Sequence, residues 1–171
     1  MKKFVFLDID GVLNCESFIH KLHKEKLNHM SDYETIRDIT ETFMPSAIEN
    51  LNNLIEQTGA EIVVSSSWRK LYTLKQLRGI LKKNGFKYPE IIIDKTPNFN
   101  VQWNVEYCRG EEIYRWLEDK DYLNHSFVIL DDDSDMGRLL ENLVKTNWKG
   151  NGLEKEHIEQ AVKLLSEKKD G

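Results

Sequence analysis

The chain contains 171 residues, a length that suits one domain with a substantial core. Hydrophobic residues make up 40% of it and charged residues 31%, which is ordinary for a soluble globular protein. With 24 Lys and Arg against 29 Asp and Glu, the net charge is −5, so nothing indicates a broad surface for nucleic acid or membranes, and such binding would need a local patch.

Short apolar runs predict the strands of a sheet. In chain order they are Lys3–Leu7, Glu61–Val64, Glu90–Ile93, Phe127–Leu130 and Leu143–Thr146. The apolar residues in these runs are continuous rather than alternating, which is typical of strands that are covered on both faces.

Apolar residues at helical spacing lie between these runs. The four stripes are Ile48, Leu51, Leu54 and Ile55; Leu71, Leu74, Leu77 and Leu81; Ile113, Trp116 and Leu117; and Ile158, Ala161, Val162 and Leu165. Gly59 closes the first stripe, and Asn84 with Gly85 closes the second. Strands that alternate with helices predict an α/β fold, doubly wound in three Rossmann-like layers around a central, mostly parallel sheet.

Two long connections interrupt this pattern. Residues Asn14–Met44 are polar and exceed the usual strand-to-helix length, so we expect a small cap-like insert with one or two short helices over the edge of the sheet. The whole chain, residues 1–171, then forms one domain. The second connection, Lys95–Cys108, holds Trp103 and Tyr107, which either stack on a substrate base or pack in the core.

The cysteine content and the N-terminal region favour a cytoplasmic protein. Cys15 and Cys108 are too few for a metal framework, and a reduced chain is the simplest interpretation. The apolar run after Met1 is too short for a signal peptide, and no run of about 18 apolar residues predicts a membrane span. We therefore expect no membrane contact and leave the oligomeric state open.

Acidic and hydroxyl side chains follow three of the predicted strands. They are Asp8 and Asp10 after the first, Ser65, Ser66 and Ser67 after the second, and Asp131, Asp132, Asp133 and Asp135 after the fourth. Ligands of open parallel sheets bind beyond the carboxyl ends of the strands, so we expect these groups to converge. Carboxylates this close repel each other unless their pKa values separate or a cation lies between them. The pattern predicts an oxygen-ligated Mg²⁺ site beside a phosphate site.

A phosphate site among carboxylates also needs a basic residue. Arg109 is the first candidate, because it opens a predicted helix after the second long connection. Arg69, directly after the serines, competes for this role, and Lys70 is a third candidate. The alternative for Arg109 is a solvated arginine at the start of a helix.

These motifs resemble the haloacid dehalogenase (HAD) superfamily and, within it, the HAD domain of Swiss Army knife RNA repair proteins. The resemblance covers nearly the whole chain. It rests on Asp8-x-Asp10-Gly11, on Val63-Val64-Ser65 with the following Ser-Ser-Trp-Arg, and on Leu130-Asp131-Asp132. It implies a HAD-like fold, and the presence of Asp10 favours phosphoryl transfer over dehalogenation. One departure is Arg109, which stands where the family usually has a lysine.

The resemblance also implies a role for each residue. Asp8 would attack phosphorus and carry an aspartyl-phosphate, while Asp10 would serve as general acid and then as general base. Ser65 or Ser66 would bind a phosphoryl oxygen. The implied Mg²⁺ ligands are Asp8, the Asp10 carbonyl and Asp131, with Asp132 or Asp135.

We therefore expect a Mg²⁺-dependent phosphohydrolase that acts on a small phosphorylated metabolite, a nucleotide or a phosphate end of a nucleic acid. The insert is too small for a large cap domain, so we expect a fairly open site. One alternative is a phosphotransferase to an acceptor hydroxyl. Another is a non-catalytic relative that only binds metal or a partner, which ranks last because Asp8, Asp10 and Asp131 are all present.

Overall fold

The computed structural model describes residues 1–26, 33–99 and 108–167. Within these residues, one sheet is formed by β1 (Lys3–Leu7), β2 (Glu61–Val64), β3 (Ile92–Lys95), β4 (Ser126–Asp131) and β5 (Leu143–Lys145). The strand order is β3-β2-β1-β4-β5, and all neighbouring strands are parallel. The chain starts at the centre of the sheet and builds outward twice, so the strand order reverses at β1.

The helices of the described residues lie on both faces of this sheet. They are α1 (Glu16–Glu25), α2 (Tyr33–Thr40), α3 (Pro45–Thr58), α4 (Leu74–Lys83), α5 (Arg109–Asp119) and α6 (Lys155–Ser166). Apolar residues of α3, α4 and α6 form the core on one face, and those of α5 form the core on the other. No helix in the described ranges has both the length and the apolarity to span a membrane. The layers confirm the predicted doubly wound, three-layer Rossmann-like fold.

Strand β1 shows why the first apolar run is continuous. Phe4 and Phe6 point to the α5 face, where both rings pack nearly perpendicular to Trp116 at centroid distances of 5.3 and 5.5 Å. Val5 and Leu7 point to the opposite face, and all four side chains are fully buried. Since successive strand residues alternate between faces, a central strand must be apolar on both. This burial fixes the end of β1 at Leu7 and so fixes the position of Asp8, the next residue.

The third strand lies further along the chain than predicted. Apolar continuity predicted Glu90–Ile93, whereas Pro89–Ile91 form a 3₁₀ turn and the strand runs from Ile92 to Lys95. The fixed φ of Pro89 suits the start of such a turn, which takes up Glu90 and Ile91 and leaves pairing to begin at Ile92. Strand β5 ends at Lys145, one residue before the predicted end.

The predicted stripe of the second helix is wrong at its first member. Leu71 is 78% exposed and precedes the helix, because α4 begins at Leu74. The helix starts there because Thr73 and Gln76 form a reciprocal capping box. Leu77 and Leu81 are buried as predicted, and α4 ends at Lys83 with Asn84 as its C-cap.

The predicted insert contains two short helices in its described part. These are α1 and α2, and they contact each other. No residue of α1 is buried, although Cys15 before it and Ile39 in α2 are. The position of this segment over the edge of the sheet stays a prediction.

Candidate active site

The carboxyl ends of β1 and β4 bring together three acidic residues from distant parts of the chain. One oxygen from each of Asp8, Asp131 and Asp132 lies within 4.8 Å of the other two. The backbone N–H of Asp8 donates to the carbonyl of Leu130 at 2.9 Å, which continues the pairing of β1 with β4. This acidic cluster therefore lies where the order of the strands reverses.

Burial and mutual repulsion make the acidic cluster hard to ionise. Burial raises the pKa of Asp8 to about 6, although Arg109, the Ser66 hydroxyl and the Ile9 N–H oppose this rise. Burial and the charge of Asp8 raise the pKa of Asp131 to about 7. The pKa of Asp132 is also raised, mainly by burial. Such a cluster is stabilised when a cation neutralises it.

The donor atoms of the cluster suit a hard divalent cation. Oδ1 of Asp131 accepts a hydrogen bond from the Asp133 N–H at 2.9 Å, which orients the carboxylate. Oδ2 of Asp131 is buried and has no hydrogen-bond partner among the described residues. A buried, unpaired carboxylate oxygen is costly unless a ligand satisfies it. Three carboxylates with one such oxygen fit Mg²⁺, which prefers oxygen ligands.

The structure does not bring Asp135 into this cluster. Its Oδ2 accepts a hydrogen bond from the backbone N–H of Arg109 at 3.0 Å, at the first residue of α5. A carboxylate there satisfies a free N–H of the helix and interacts favourably with the helix dipole. Of the two implied alternatives, Asp132 therefore lies in the cluster and Asp135 caps α5.

The side chain of Asp10 is also outside the acidic cluster and has its own partners. The amide Nδ2 of Asn14 donates to Oδ1 of Asp10 at 2.9 Å, and the indole Nε1 of Trp68 donates to Oδ2 at 2.9 Å. Sequence reasoning missed both partners. The sequence could have indicated Trp68, because a buried indole N–H normally needs an acceptor. Nothing in the sequence pointed to Asn14. The predicted role of the Asp10 carbonyl as a ligand stays a prediction.

Gly11 allows the turn that follows Asp10. Its φ of +79° lies in the left-handed region, and a Cβ at this position would collide with the side chain of Asp132. The Gly11 N–H donates to Oδ1 of Asn14 at 3.1 Å, and its carbonyl accepts from the Thr146 hydroxyl at 2.8 Å. Asn14 and Thr146 thus hold the two peptide groups of the turn, and the missing Cβ of Gly11 leaves room for the side chain of Asp132.

The two candidate serines lie at the same edge of the sheet and are fully buried. The Ser66 hydroxyl lies close enough to Asp8 to lower the pKa of that carboxyl group, and its Oγ accepts from the Trp68 N–H at 3.4 Å. The Ser65 N–H donates to the Leu7 carbonyl at 2.8 Å, and its Oγ has no partner among the described residues. Ser66 is therefore the serine that affects the ionisation of Asp8, while Ser65 keeps an unused hydroxyl.

The basic candidates differ in what already holds them. Arg69 forms a buried ion pair with Glu112 of α5, and its NH1 donates to the Ser66 carbonyl at 2.7 Å. NH1 of Arg109 lies 3.9 Å from Oδ1 of Asp8 and is buried, and it makes no hydrogen bond within the described residues. Lys70 is exposed. Nε of Arg69 also has no hydrogen-bond partner among the described residues. What favours Arg109 is its distance from Asp8 and the pairing of Arg69 with Glu112, which sequence reasoning missed.

Two aromatic candidates cannot be placed in this site. Trp103 and Tyr107, with most of the Lys95–Cys108 connection, lie outside the described residues. Their stacking on a base or packing in the core therefore stays a prediction.

Fold and site together define a three-layer α/β protein of the haloacid dehalogenase type, with acidic residues at the carboxyl ends of two central strands. Residues 4–158 match the family model described as the HAD domain in Swiss Army Knife RNA repair proteins, and the chain belongs to this family. The family supports a HAD-type hydrolase in general. No curated protein and no solved structure gives a significant match.

Proposed function

We propose that this chain is a Mg²⁺-dependent phosphomonoesterase that acts through an aspartyl-phosphate on Asp8. The observation that carries the proposal is the environment of Asp8. Its buried carboxyl group lies beside Asp131 and Asp132 and is also 3.9 Å from NH1 of Arg109. A phosphate dianion can approach an anionic nucleophile only where positive charge offsets the repulsion.

The acidic cluster is the part that would hold the metal ion. Asp8, Asp131 and Asp132 would be its protein ligands, and the unpaired Oδ2 of Asp131 is an available donor. When bound, Mg²⁺ supplies charge neutralisation and polarises a phosphoryl oxygen. The raised pKa values of Asp8 and Asp131 support this assignment, because they show how poorly the site holds its negative charge alone.

Asp8 and Asp10 divide the chemistry between them. A carboxylate oxygen of Asp8 attacks phosphorus, the ester P–O bond breaks, and the departing oxygen takes a proton from Asp10. Water then attacks phosphorus and gives a proton to Asp10, and the bond between phosphorus and Asp8 breaks. Inorganic phosphate leaves, with Asp8 ionised and Asp10 protonated again.

The remaining residues bind the phosphate group. Arg109 offers N–H donors to phosphoryl oxygens, and a guanidinium can bind them through two N–H groups. The unused hydroxyl of Ser65 is a further donor. Arg69 is committed to Glu112, so its contribution is to hold the Ser66 segment in place.

The substrate class in this proposal is a phosphomonoester. It includes a small phosphorylated metabolite, a nucleotide and a phosphate end of a nucleic acid, and the description of the family in RNA repair proteins supports the last. A reducing compartment such as the cytosol fits the two free cysteines, Cys15 and Cys108.

The proposal is tested by release of phosphate from para-nitrophenyl phosphate with Mg²⁺ and with EDTA. We expect turnover only with Mg²⁺, and we expect Asp8→Asn to abolish it because the amide is a poor nucleophile. Asp121→Asn is the matched control, since Asp121 is exposed and stands in a turn after α5. Wild-type rates in Asp8→Asn would contradict the assignment of the nucleophile.

The same assay separates hydrolysis from transfer. An alcohol added as acceptor should remain unphosphorylated if water is the acceptor in the second step. A screen of phosphorylated metabolites, nucleotides and phosphate-ended oligonucleotides then identifies the substrate class. No turnover on any of them would favour the non-catalytic alternative.

A further inference from the structure

We propose that Trp68 is the positioning residue for Asp10, and that with Asn14 it holds this carboxyl group in the orientation that proton transfer requires. The inference rests on the proposed function, in which Asp10 is the proton carrier. Each oxygen of Asp10 accepts one N–H donor, Nδ2 of Asn14 at 2.9 Å and Nε1 of Trp68 at 2.9 Å. A carboxyl group held by both oxygens cannot rotate away without losing a hydrogen bond.

The indole of Trp68 is itself fixed. It is 4% exposed, stacks on the ring of Tyr72 at 5.2 Å between centroids, and packs against Phe43 at 5.6 Å. The direction of its N–H is therefore set by packing rather than by Asp10. A rigid donor of this kind keeps Asp10 oriented before the reaction, so less entropy is lost when the transition state forms.

Trp68 also links Asp10 to the nucleophile through one short segment. It belongs to the 3₁₀ turn Ser67–Lys70 that follows β2, and its backbone N–H donates to Oγ of Ser66. The Ser66 hydroxyl in turn lies close enough to Asp8 to lower the pKa of that carboxyl group. The segment after β2 thus holds Asp10 through Trp68 and lies beside Asp8 through Ser66, so one short segment joins the surroundings of the nucleophile and of the proton carrier.

Asn14 completes the arrangement from the other side. Its Oδ1 accepts the Gly11 N–H at 3.1 Å, so the amide is oriented and must present Nδ2 to Asp10. Asn14 is 2% exposed. Both donors therefore belong to buried, ordered parts of the described chain.

The chain contains a matched control for removal of an indole N–H. Trp116 is also 4% exposed, and its Nε1 also donates to an aspartate, Oδ2 of Asp94, at 2.8 Å. Asp94 takes no part in the proposed chemistry. Trp68→Phe and Trp116→Phe therefore delete the same chemical group from similar surroundings, and only the first deletion touches Asp10.

The test compares these variants on two esters, para-nitrophenyl phosphate and an alkyl phosphate with a poor leaving group. We expect Trp68→Phe to lower kcat by roughly ten- to hundredfold on the alkyl ester. The loss should be smaller on the nitrophenyl ester, which needs less protonation of the leaving oxygen. Trp116→Phe should leave kcat within about twofold on both esters, within the variation expected of a site away from the chemistry.

A double-mutant cycle separates positioning from general damage. In the Asp10→Asn background, Trp68→Phe should cost little more, because the group that it positions has already lost its proton-transfer function. Equal losses on the two esters, or a full multiplicative loss in the Asp10→Asn background, would overturn the inference. An inactive wild type, or an Asp10→Asn variant with wild-type rates, would instead overturn the proposed function.

A second replacement covers the case in which Trp68→Phe does not fold. The benzothiophene isostere of tryptophan at position 68 keeps the shape of the ring and replaces the N–H by sulfur. It should melt near the wild type and reproduce the larger loss on the alkyl ester. Wild-type kinetics with the isostere would show that only the packing of the ring matters.

Discussion

At the scale of single residues, the buried carboxyl groups of Asp8 and Asp131 destabilise the fold when they are ionised. Burial raises the pKa of Asp8 to about 6 and that of Asp131 to about 7. Near neutral pH these groups are held in a place where ionisation is unfavourable. A site that binds a cation must tolerate this cost whenever the cation is absent.

Replacement of Asp131 by Asn should therefore stabilise the metal-free protein at pH 8. The amide keeps an oxygen for the Asp133 N–H and removes the repulsion with Asp8. One pKa unit corresponds to about 1.4 kcal/mol, so we expect the free energy of unfolding to rise by at least about that amount in EDTA. Urea unfolding measures it, with Asp121→Asn as the exposed control, and calorimetry should show weaker Mg²⁺ binding. A lower stability of Asp131→Asn at pH 8 would contradict this account.

Arg109 has two effects on the same cluster. Its guanidinium lowers the pKa of Asp8, against the larger effect of burial, and its NH1 is available to a ligand. Hydrogen bonds to charged groups contribute about 1.5–3 kcal/mol, so Arg109→Gln should raise KM for a phosphomonoester by roughly ten- to hundredfold. The acidic limb of kcat/KM should also move to higher pH, because Asp8 loses a cation that favours its ionised form.

Steady-state kinetics across pH measure both effects. Arg115→Gln is the control, because Arg115 is an exposed residue of the same helix that pairs with Glu118 and Asp119. If Arg109→Gln changes neither KM nor the pH profile, the guanidinium does not face the substrate.

At the scale of elements, α5 is placed by a close approach at its first turn. The N–H of Gly110 donates to the Asp135 carbonyl at 3.1 Å, and a Cβ at this position would collide with the Met136 carbonyl. Because Arg109 precedes Gly110, this contact sets the distance of the guanidinium from Asp8. The helix therefore has to begin with a small residue beside the arginine.

Gly110→Ala should push α5 away from the segment after β4. We expect a loss of about 1–3 kcal/mol in the free energy of unfolding, as for other overpacked sites, together with a raised KM. Gly79→Ala is the matched control within a helix, because nothing lies within 4 Å of its added Cβ. That variant should gain about 0.4–1 kcal/mol. Equal stabilities of the two variants in urea would show that α5 has room to shift.

The elements also show where sequence patterns succeed. Continuous apolar runs predicted β1 and β2 at their observed bounds. A strand that is buried on both faces needs apolar residues at successive positions, so its sequence is easy to recognise. They misplaced β3 because the pattern does not show which apolar residues belong to a 3₁₀ turn. Leu71 was misassigned for a similar reason, since the capping residue Thr73, and not the leucine spacing, decides where α4 begins.

At the scale of the whole molecule, the convergence of acids was predictable and the side-chain partners were not. Parallel strands align their carboxyl ends, so Asp8 and Asp131 had to approach each other once the fold was known. The pairing of Arg69 with Glu112 depends on how α5 packs beside the turn after β2. No local pattern encodes that contact, which holds the arginine that competes with Arg109 for the phosphate.

The stability of the whole molecule should depend on pH through the acidic cluster. An unfolded aspartate has a pKa near 4, so between about pH 4 and pH 7 the folded protein binds more protons at Asp8 and Asp131 than the unfolded chain does. Their contribution is therefore fully present at low pH and is lost as the pH rises through the folded values. Through these two groups, the metal-free protein should be less stable at pH 8 than at pH 5.

Mg²⁺ should reverse this loss. Because the ion binds the ionised carboxylates, it should raise Tm by more at pH 8 than at pH 5. Melting curves with EDTA and with Mg²⁺ at the two pH values measure the difference, and Asp131→Asn isolates the part that belongs to the cluster. An equal effect of Mg²⁺ at both pH values would mean that the ion binds elsewhere.

The central place of β1 has a consequence for synthesis on the ribosome. Lys3–Leu7 is made well before Ser126–Leu130, the segment with which one of its edges pairs. Until that late segment is made, a nascent chain presents an apolar strand with an open edge, which other chains can pair with. We expect such chains to rely on chaperones, and the two aspartates that follow β1 to stay inert until Ser126–Leu130 has been made.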